Sequence, residues 1–249
     1  MKTPRISILV SVIVFSVFCG CASLTHHRNE ARLAKVRKIA VVGFSVVQPA
    51  PASIGFNLNR GQLERMEGGD FIPKRGESIN EMYDSLAASF AGNVAWQVVP
   101  ASLMKRNTAF QHAFERTMKG WQNKMPVGSG RQQFLVDGIM DNEGLRILGK
   151  SGRNELLTGL GVDGLVTAQV DVFLNGTAIL GVGNRYPQAR VSFRLYTQDS
   201  DSPDWFEGNL QGEIAKSSVG ATAFFDEAML NKLALESART AFAQIGKRL

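Results

Sequence analysis

The stretch Val162–Leu174 (VDGLVTAQVDVFL) is the longest candidate strand of this 249-residue chain. It follows a short helix candidate, Asn154–Leu160, that ends in glycines. A second apolar run, Lys38–Val47 (KIAVVGFSVV), is rich in β-branched residues and lacks alternation, which is typical of a strand buried on both faces. Together the two runs predict the centre of a sheet.

Further elements extend this sheet. Arg190–Tyr196 alternates apolar and polar residues, as a half-buried antiparallel strand does. Shorter strands are predicted at Ala95–Val99 and Trp205–Ile214. A helix is predicted from a capping box at Ser78–Glu81 to a stop at Gly92, and another over residues 222–249. The order of elements predicts an α/β fold, a compact sandwich of a mixed, partly antiparallel sheet with helices.

The chain divides into three parts by composition. Residues 1–20 read as a signal peptide, 21–37 as a basic tether, and 38–249 as a single α/β domain. Within the domain, residues 48–76 form an excursion rich in Gly, Pro and Asn, and residues 101–149 are predicted to be a helical insertion with a loop-rich second half.

The insertion contains a candidate amphipathic helix. Its apolar stripe comprises Phe110, Ala113, Phe114, Thr117, Met118 and Trp121, at helical spacing. Two interpretations stay open: the stripe packs into the core, or Phe110, Phe114 and Trp121 form a surface for a partner protein.

The N-terminus has the composition of a targeting segment. Lys2 and Arg5 precede an apolar run, Ile6–Phe18, which has the length of a signal-peptide core and is short for a bilayer span. Small residues follow at once. The segment therefore predicts export from the cytoplasm.

The end of this segment, Phe18-Cys19-Gly20-Cys21, resembles the lipobox of bacterial lipoproteins. Gly20 fits the position before cleavage, so the resemblance implies lipidation, with palmitate among the acyl chains, at Cys21. Ala22 is not the aspartate that marks inner-membrane retention, which implies the periplasmic face of the outer membrane. An ordinary secretory signal is the alternative.

The charge is concentrated near this anchor. The chain has a net charge of +6, and residues 22–38 carry five basic residues against Glu30. Residues 39–249 are balanced, which argues against broad nucleic-acid binding. A basic segment beside a lipid anchor is attracted to anionic headgroups, and a plain soluble linker is the alternative.

Few residues are suited to catalysis or metal binding. The chain has 2 Cys and 3 His, too few for a disulfide framework or a histidine-based site. The segment 144–151 (GLRILGKS) matches the phosphate-loop pattern, but its apolar interior and the turn before it predict a turn that leads into the next helix. The acidic segment 199–204 predicts a solvated turn. We expect no catalytic residues, no metal and no cofactor.

The order of segments resembles the curli-secretion-lipoprotein superfamily, which includes the lipoprotein activators of penicillin-binding proteins. The resemblance is carried by KIAVVGF at 38–44, VVP at 98–100, LLTGLGVDGLVTAQV at 156–170, RVSFRLYTQ at 190–198 and the strand at Trp205. It implies an envelope lipoprotein. The 48–76 excursion and the 101–149 insertion depart from it.

These observations predict a lipid-anchored, non-enzymatic accessory or scaffold lipoprotein of the cell envelope that binds a protein partner. An activator-like member would bind a periplasmic enzyme through its globular part. The alternatives are an oligomeric secretion-pore subunit of the outer membrane, and an unrecognised envelope enzyme or small-ligand binder. The sequence specifies neither the partner nor the oligomeric state.

The lipobox assignment can be tested by changing each cysteine. We expect Cys21→Ser to leave an unprocessed precursor that takes up no labelled fatty acid, because the acylated thiol is gone. Cys19→Ser is the control and should still be acylated. Incorporation of fatty acid into the Cys21→Ser protein would show that the assignment is wrong.

Overall fold

The computed structural model describes residues 26–49, 77–122, 131–176, 184–219 and 227–247. At 118–122 and 227–228 it describes the backbone only. In chain order the elements are β1 (His26–Arg28), α1 (Glu30–Leu33), β2 (Lys38–Pro49), α2 (Glu77–Asn93), β3 (Gln97–Val98), α3 (Ala101–Met104), α4 (Thr108–Gln122), β4 (Arg131–Leu135), α5 (Gly144–Leu160), β5 (Gly164–Asn175), β6 (Tyr186–Thr197), β7 (Trp205–Gln211) and α6 (Glu227–Phe242).

The described strands form one mixed sheet in the order β1-β7-β6-β5-β2-β3, with β4 pairing beside β3 on the same edge of β2. β2 runs parallel to β5 and to β3, whereas all other pairs are antiparallel. The predicted α/β class with a mixed, partly antiparallel sheet is confirmed.

Helices cover both faces of the sheet. On one face, α2 and α6 pack over an aromatic cluster in which Phe193 lies 4.8 Å from Trp205 and 5.3 Å from Phe90, ring centroid to centroid, all edge to face. Such pairs are worth about 0.5–1.5 kcal/mol beyond the area that they bury. On the other face α5 packs over the sheet, where Arg153 stacks on Tyr196 at 4.6 Å, and α4 packs against α5.

A close backbone approach at Gly43 organises the middle of β2. The Met140 N–H donates to the Val42 carbonyl at 3.1 Å, and the Phe44 N–H donates to the Met140 carbonyl at 2.9 Å. The turn at 137–142 thus lies directly against β2, between β3 and β4. A Cβ on Gly43 would lie 2.6 Å from the Asp141 carbonyl oxygen and 2.8 Å from the Thr167 methyl group.

The strand also changes register here. The pairing of β2 with β5 shifts between Val41 and Gly43, which is a β-bulge. The Tyr83 hydroxyl, on α2, donates to the Val41 carbonyl at 2.8 Å. The bulge therefore keeps its backbone hydrogen-bonded while it makes room for the turn on the opposite edge.

The described part of the predicted tether is folded against the sheet, not outside it. β1 pairs with β7, and Arg28 stacks over the Trp205 ring at 5.3 Å. Leu33 and Val36 are buried in the core. The sequence did not predict this role, because two apolar residues in a short, mostly basic segment are too few to form a pattern.

Two further boundaries differ from the expected ones within the 101–149 insertion. Residues predicted as loop form β4, because Phe134 and Leu135 bury against β2. A helical segment at 144–148, in which Leu145 and Leu148 are buried, precedes the helix expected at 154–160, and a kink at Gly149 separates the two segments of α5. The phosphate-loop pattern therefore spans the first segment of α5 and the kink at Gly149, where φ is 68°, and ends at the start of the second segment.

The Gly43 approach predicts a specific loss of stability. We expect Gly43→Ala to lower the free energy of unfolding by about 1–3 kcal/mol, because backbone and a packed methyl group must move. Gly92→Ala is the control, since a Cβ there meets nothing within 4 Å. We expect it to be neutral or stabilising by up to about 1 kcal/mol. Urea unfolding of the purified wild type and of both variants measures the difference. Equal midpoints for Gly43→Ala and wild type would show that the close backbone approach does not exclude a Cβ at position 43.

Candidate functional site

An open, largely apolar groove lies at the β3 edge of the sheet. This groove of about 510 Å³, here called the edge groove, is bordered by Lys38, Gln97, Val98, Val99, Pro100, Leu103, Met104, Asn107 and Leu160. Lys38 is its one charged residue among these. The groove combines a strand edge, the short helix α3 and the end of α5.

The strand edge is held from the core side. Trp96, just before β3, lies 6.3 Å from Phe90 in a stacked arrangement and 6.0 Å from Trp205 edge to face. The Gln97 N–H donates to the carbonyl of Arg37, just before β2, and the Val99 N–H donates to the carbonyl of Ile39 in β2, both at 2.9 Å. β3 is thus fixed to β2 although it is only two residues long.

The outer side of β3 has no strand partner among the described residues. Since backbone groups alternate in direction along a strand, the N–H and C=O of Val98 point away from β2. An exposed strand edge is a template for another extended chain. Pro100 follows at once, which limits the template to a short one.

The wall of the groove is α3, which begins after Pro100. Met104 is fully buried and fixes this helix to the core, whereas its neighbour Leu103 is 61% exposed. Leu103 is the most exposed large apolar side chain in the described part of the chain. Its position beside the open strand edge makes a patch that water solvates poorly.

The floor of the groove is set by a close contact between two helices. The Asn107 side chain accepts from the Ala109 N–H at 2.9 Å, which caps α4, and donates to the Gly159 carbonyl of α5 at 2.8 Å. A Cβ on Gly159 would collide with the Cβ of Ala109. The start of α4 is therefore locked onto the end of α5.

The structure separates the residues predicted as a partner surface. Phe110 is buried in the core and lies 6.3 Å from Phe114, which is half-buried against that core. The side chain of Trp121 lies outside the described residues. The inward position of Phe110 favours core packing for this part of the helix.

Sequence analysis missed Leu103. The sequence Ser102-Leu103-Met104 shows two adjacent apolar residues in a short segment, without the periodicity that tells the buried one from the exposed one. Cys21, the predicted lipidation residue, and the predicted signal peptide 1–20 also lie outside the described residues.

Apart from the edge groove, a cluster of hydrogen-bonded polar side chains lies on the α5 face of the sheet. The Asn142 side chain accepts from the Ser45 hydroxyl at 3.0 Å and donates to the side-chain amide oxygen of Gln169 at 2.8 Å. Gln169 in turn donates to Asp171 at 3.0 Å, and Arg131 donates to the same carboxylate at 3.0 Å. This network ties the 137–142 turn, β2, β4 and β5 together.

Glu143 joins the start of α5 to the sheet. It accepts from Arg146 at 2.6 Å and from Arg194 of β6 at 2.8 Å. Burial acts to raise the pKa of the Glu143 carboxyl, but the hydrogen bond from Arg146 and the charge and hydrogen bond of Arg194 outweigh it, so that the pKa lies below its ordinary value. The group is ionised at neutral pH and serves as a structural ion-pair centre.

The described residues contain no group of three or more His, Cys, Asp or Glu side chains placed to hold a metal ion. Lys150, in the phosphate-loop pattern, pairs with Asp201 at 3.2 Å. The Ser151 hydroxyl contacts Glu155 at 3.3 Å. Side chains of the pattern thus engage their neighbours within the fold.

Comparison with known proteins gives one weak similarity. The sequence matches no family model, and a search of curated proteins gives no significant match. Among solved structures, the chain is similar to lipoprotein GNA1162 from Neisseria meningitidis, with a TM-score of 0.34 and 15% identity over 79% of this chain and 92% of that one. This similarity is too low to assign a fold or a function.

The Glu143 ion pairs predict a pH-dependent contribution to stability. A lowered pKa in the folded state means that the contribution is present above the unfolded-state pKa of about 4.3 and is lost as the pH falls through the lower folded-state value. We therefore expect Glu143→Gln to lower the unfolding midpoint at pH 7, and the difference from wild type to vanish in acid. The exposed Glu115→Gln is the control. A difference that persists unchanged at low pH would contradict this assignment.

Proposed function

We propose that this protein is a lipid-anchored, non-enzymatic accessory lipoprotein of the cell envelope. Cys21 carries the lipid at the periplasmic face of the outer membrane, and the edge groove binds an extended segment of a protein partner. The observation that carries the proposal is the open edge of β3 beside an apolar groove in which Leu103 is 61% exposed.

The chemistry of the groove favours a peptide over a small polar ligand. Strand addition uses backbone hydrogen bonds for affinity and adjacent pockets for side-chain selection. The edge groove offers both, because the outward N–H and C=O of Val98 lie beside the surface of Leu103 and Pro100. An apolar or aliphatic partner residue next to the paired backbone is the complement of this arrangement.

The proposal of a lipid anchor is based on the N-terminal sequence. The segment up to Cys21 resembles a lipoprotein signal, and no helix in the described ranges is long and apolar enough to span a bilayer. In this proposal the lipid on Cys21 supplies the attachment to the membrane. The strand order places β1, which follows the anchor, at the opposite edge of the sheet from β3. The groove therefore faces away from the edge at which the anchor enters.

The groove can be tested with a photo-crosslinking amino acid at the exposed position Ser102. We expect a specific adduct in intact cells, reduced several-fold by Leu103→Asp, because a carboxylate in the groove must be desolvated when the partner binds. The matched control is Ile147→Asp, on α5, which should leave the adduct unchanged. Both changes are at the surface and should shift stability by less than about 0.5 kcal/mol.

A second variant tests the backbone mode of binding. Val98→Pro removes the outward N–H and leaves the Gln97 and Val99 donors to β2 in place. Loss of one such hydrogen bond costs about 1 kcal/mol, or about fivefold in affinity. Val98→Thr keeps the N–H and is the control. An adduct insensitive to both Leu103→Asp and Val98→Pro would show that the partner binds elsewhere.

A further inference from the structure

The chain between the anchor and the sheet is short. His26 is the first residue of β1 and pairs with Glu207, so five peptide units separate its Cα from that of Cys21. Fully extended, they span at most about 18 Å. A domain of this size has a radius of gyration of about 17 Å. This segment, here called the leash, is about as long as that radius, so it keeps the domain close to the lipid, with one flank turned to the membrane surface.

The direction of β1 indicates which flank. β1 runs antiparallel to β7, with Arg28 opposite Trp205, so the chain arrives from the end of the sheet at which β7 finishes. From the level of Glu207 to that of Gln211 is about 13 Å. The leash therefore just reaches this end. We call it the anchor-side end, formed by the described residues 173–176, 184–188 and 211–216.

The anchor-side end exposes the residue types that suit a lipid interface. Ile214 is 51% exposed and Phe173 is 37% exposed. Arg190 stacks on the Phe173 ring at 4.5 Å. Lys216 is exposed and Arg185 is half-exposed, against one exposed carboxylate in this part of the described chain, Glu213. Apolar side chains flanked by cations are typical of surfaces that lie on anionic headgroups.

The opposite end of the sheet is a poorer match, although most of the basic N-terminal residues lie there. Asp163, Asp199 and Asp201 are exposed at that end, and the Asp201 side chain is 87% exposed. Arg32 is directed to the Gln198 carbonyl at 2.9 Å and Arg37 to the Ala34 carbonyl at 2.9 Å. These cations are engaged within the fold, next to carboxylates that anionic lipid would repel.

We propose that the anchor-side end lies on the lipid surface into which Cys21 is inserted. Ile214 and Phe173 contact the headgroup region, and Arg185 and Lys216 attract anionic headgroups. The inference rests on the proposed lipid anchor. It adds that the domain has a fixed orientation, with the ends of β5, β6 and β7 at the membrane, and with the edge groove held away from it because β3 pairs with the start of β2 at the opposite end.

The test uses the acylated full chain reconstituted into vesicles of phosphatidylethanolamine and phosphatidylglycerol. The sequence has cysteine only at positions 19 and 21, and Cys21 is blocked by the lipid in the processed protein. Ile214→Cys or Leu103→Cys therefore adds the single reactive thiol, which carries a fluorophore. With headgroup-nitroxide lipids in the vesicles, we expect quenching at position 214 to exceed that at position 103 several-fold.

Charge reversal provides the matched control. Arg185→Glu with Lys216→Glu should reduce the quenching at position 214 several-fold. Lys35→Glu with Arg106→Glu makes the same charge change at exposed positions toward the opposite end of the sheet and should leave the quenching unchanged. Unfolding curves of both pairs, measured in the same detergent, establish that the variants are folded.

The outcomes separate the anchor from the orientation. Protein that does not float with the vesicles would overturn the lipid anchor and the orientation with it. Protein that floats, but shows equal quenching at positions 214 and 103, would overturn the orientation and leave the anchor standing. Quenching at position 214 that is insensitive to the Arg185→Glu and Lys216→Glu pair would overturn the role assigned to these cations.

Discussion

The close approach of the 137–142 turn to Gly43 is the constraint on which the rest of the fold depends. β2 has partners on both edges. One edge pairs with β5, and the other pairs successively with β3, with Met140 and with β4. A residue with a side chain at position 43 would push the turn away. Asp141, Asn142 and the start of α5 follow directly from this turn, so their places are fixed by the same contact.

Ion pairs and hydrogen bonds on the α5 face hold the 137–142 turn and the start of α5 against the sheet, in addition to the backbone contact at Gly43. Asn142 reaches β2 and β5, and Glu143 reaches Arg194 on β6. Because Glu143 and Asp171 are partly or largely buried, each would cost free energy if left alone. Arginines next to them offset that cost, and the resulting network ties the turn to four strands. These carboxylates thus serve the architecture of the sheet.

The sheet also separates two proposed surfaces. β1 and β3 are at opposite ends of the strand order, about 24 Å apart at the usual strand spacing. In the proposed arrangement the membrane meets the anchor-side end, on the leash that enters through β1, and a partner strand adds at β3. A short leash and a stiff sheet would together fix the height and direction of the edge groove. Preorganisation of this kind lowers the entropy lost when a partner binds.

The sequence by itself determined the elements whose pattern is local. β2, β5 and β6 are long apolar or alternating runs, and these sufficed to predict the α/β class. The helix α2 was predicted too, but it begins at Glu77, so that Ser78 lies inside it and is not its cap. Only the tertiary structure decided the rest. β1 and β4 are strands because β7 and β2 lie beside them, and α1 is held by a single buried apolar side chain, Leu33, which by itself makes no pattern. Leu103 and Met104 are alike in sequence, yet one is exposed and the other buried. Pairing, register and exposure depend on contacts between residues far apart in the chain, and a local pattern carries no information about those contacts.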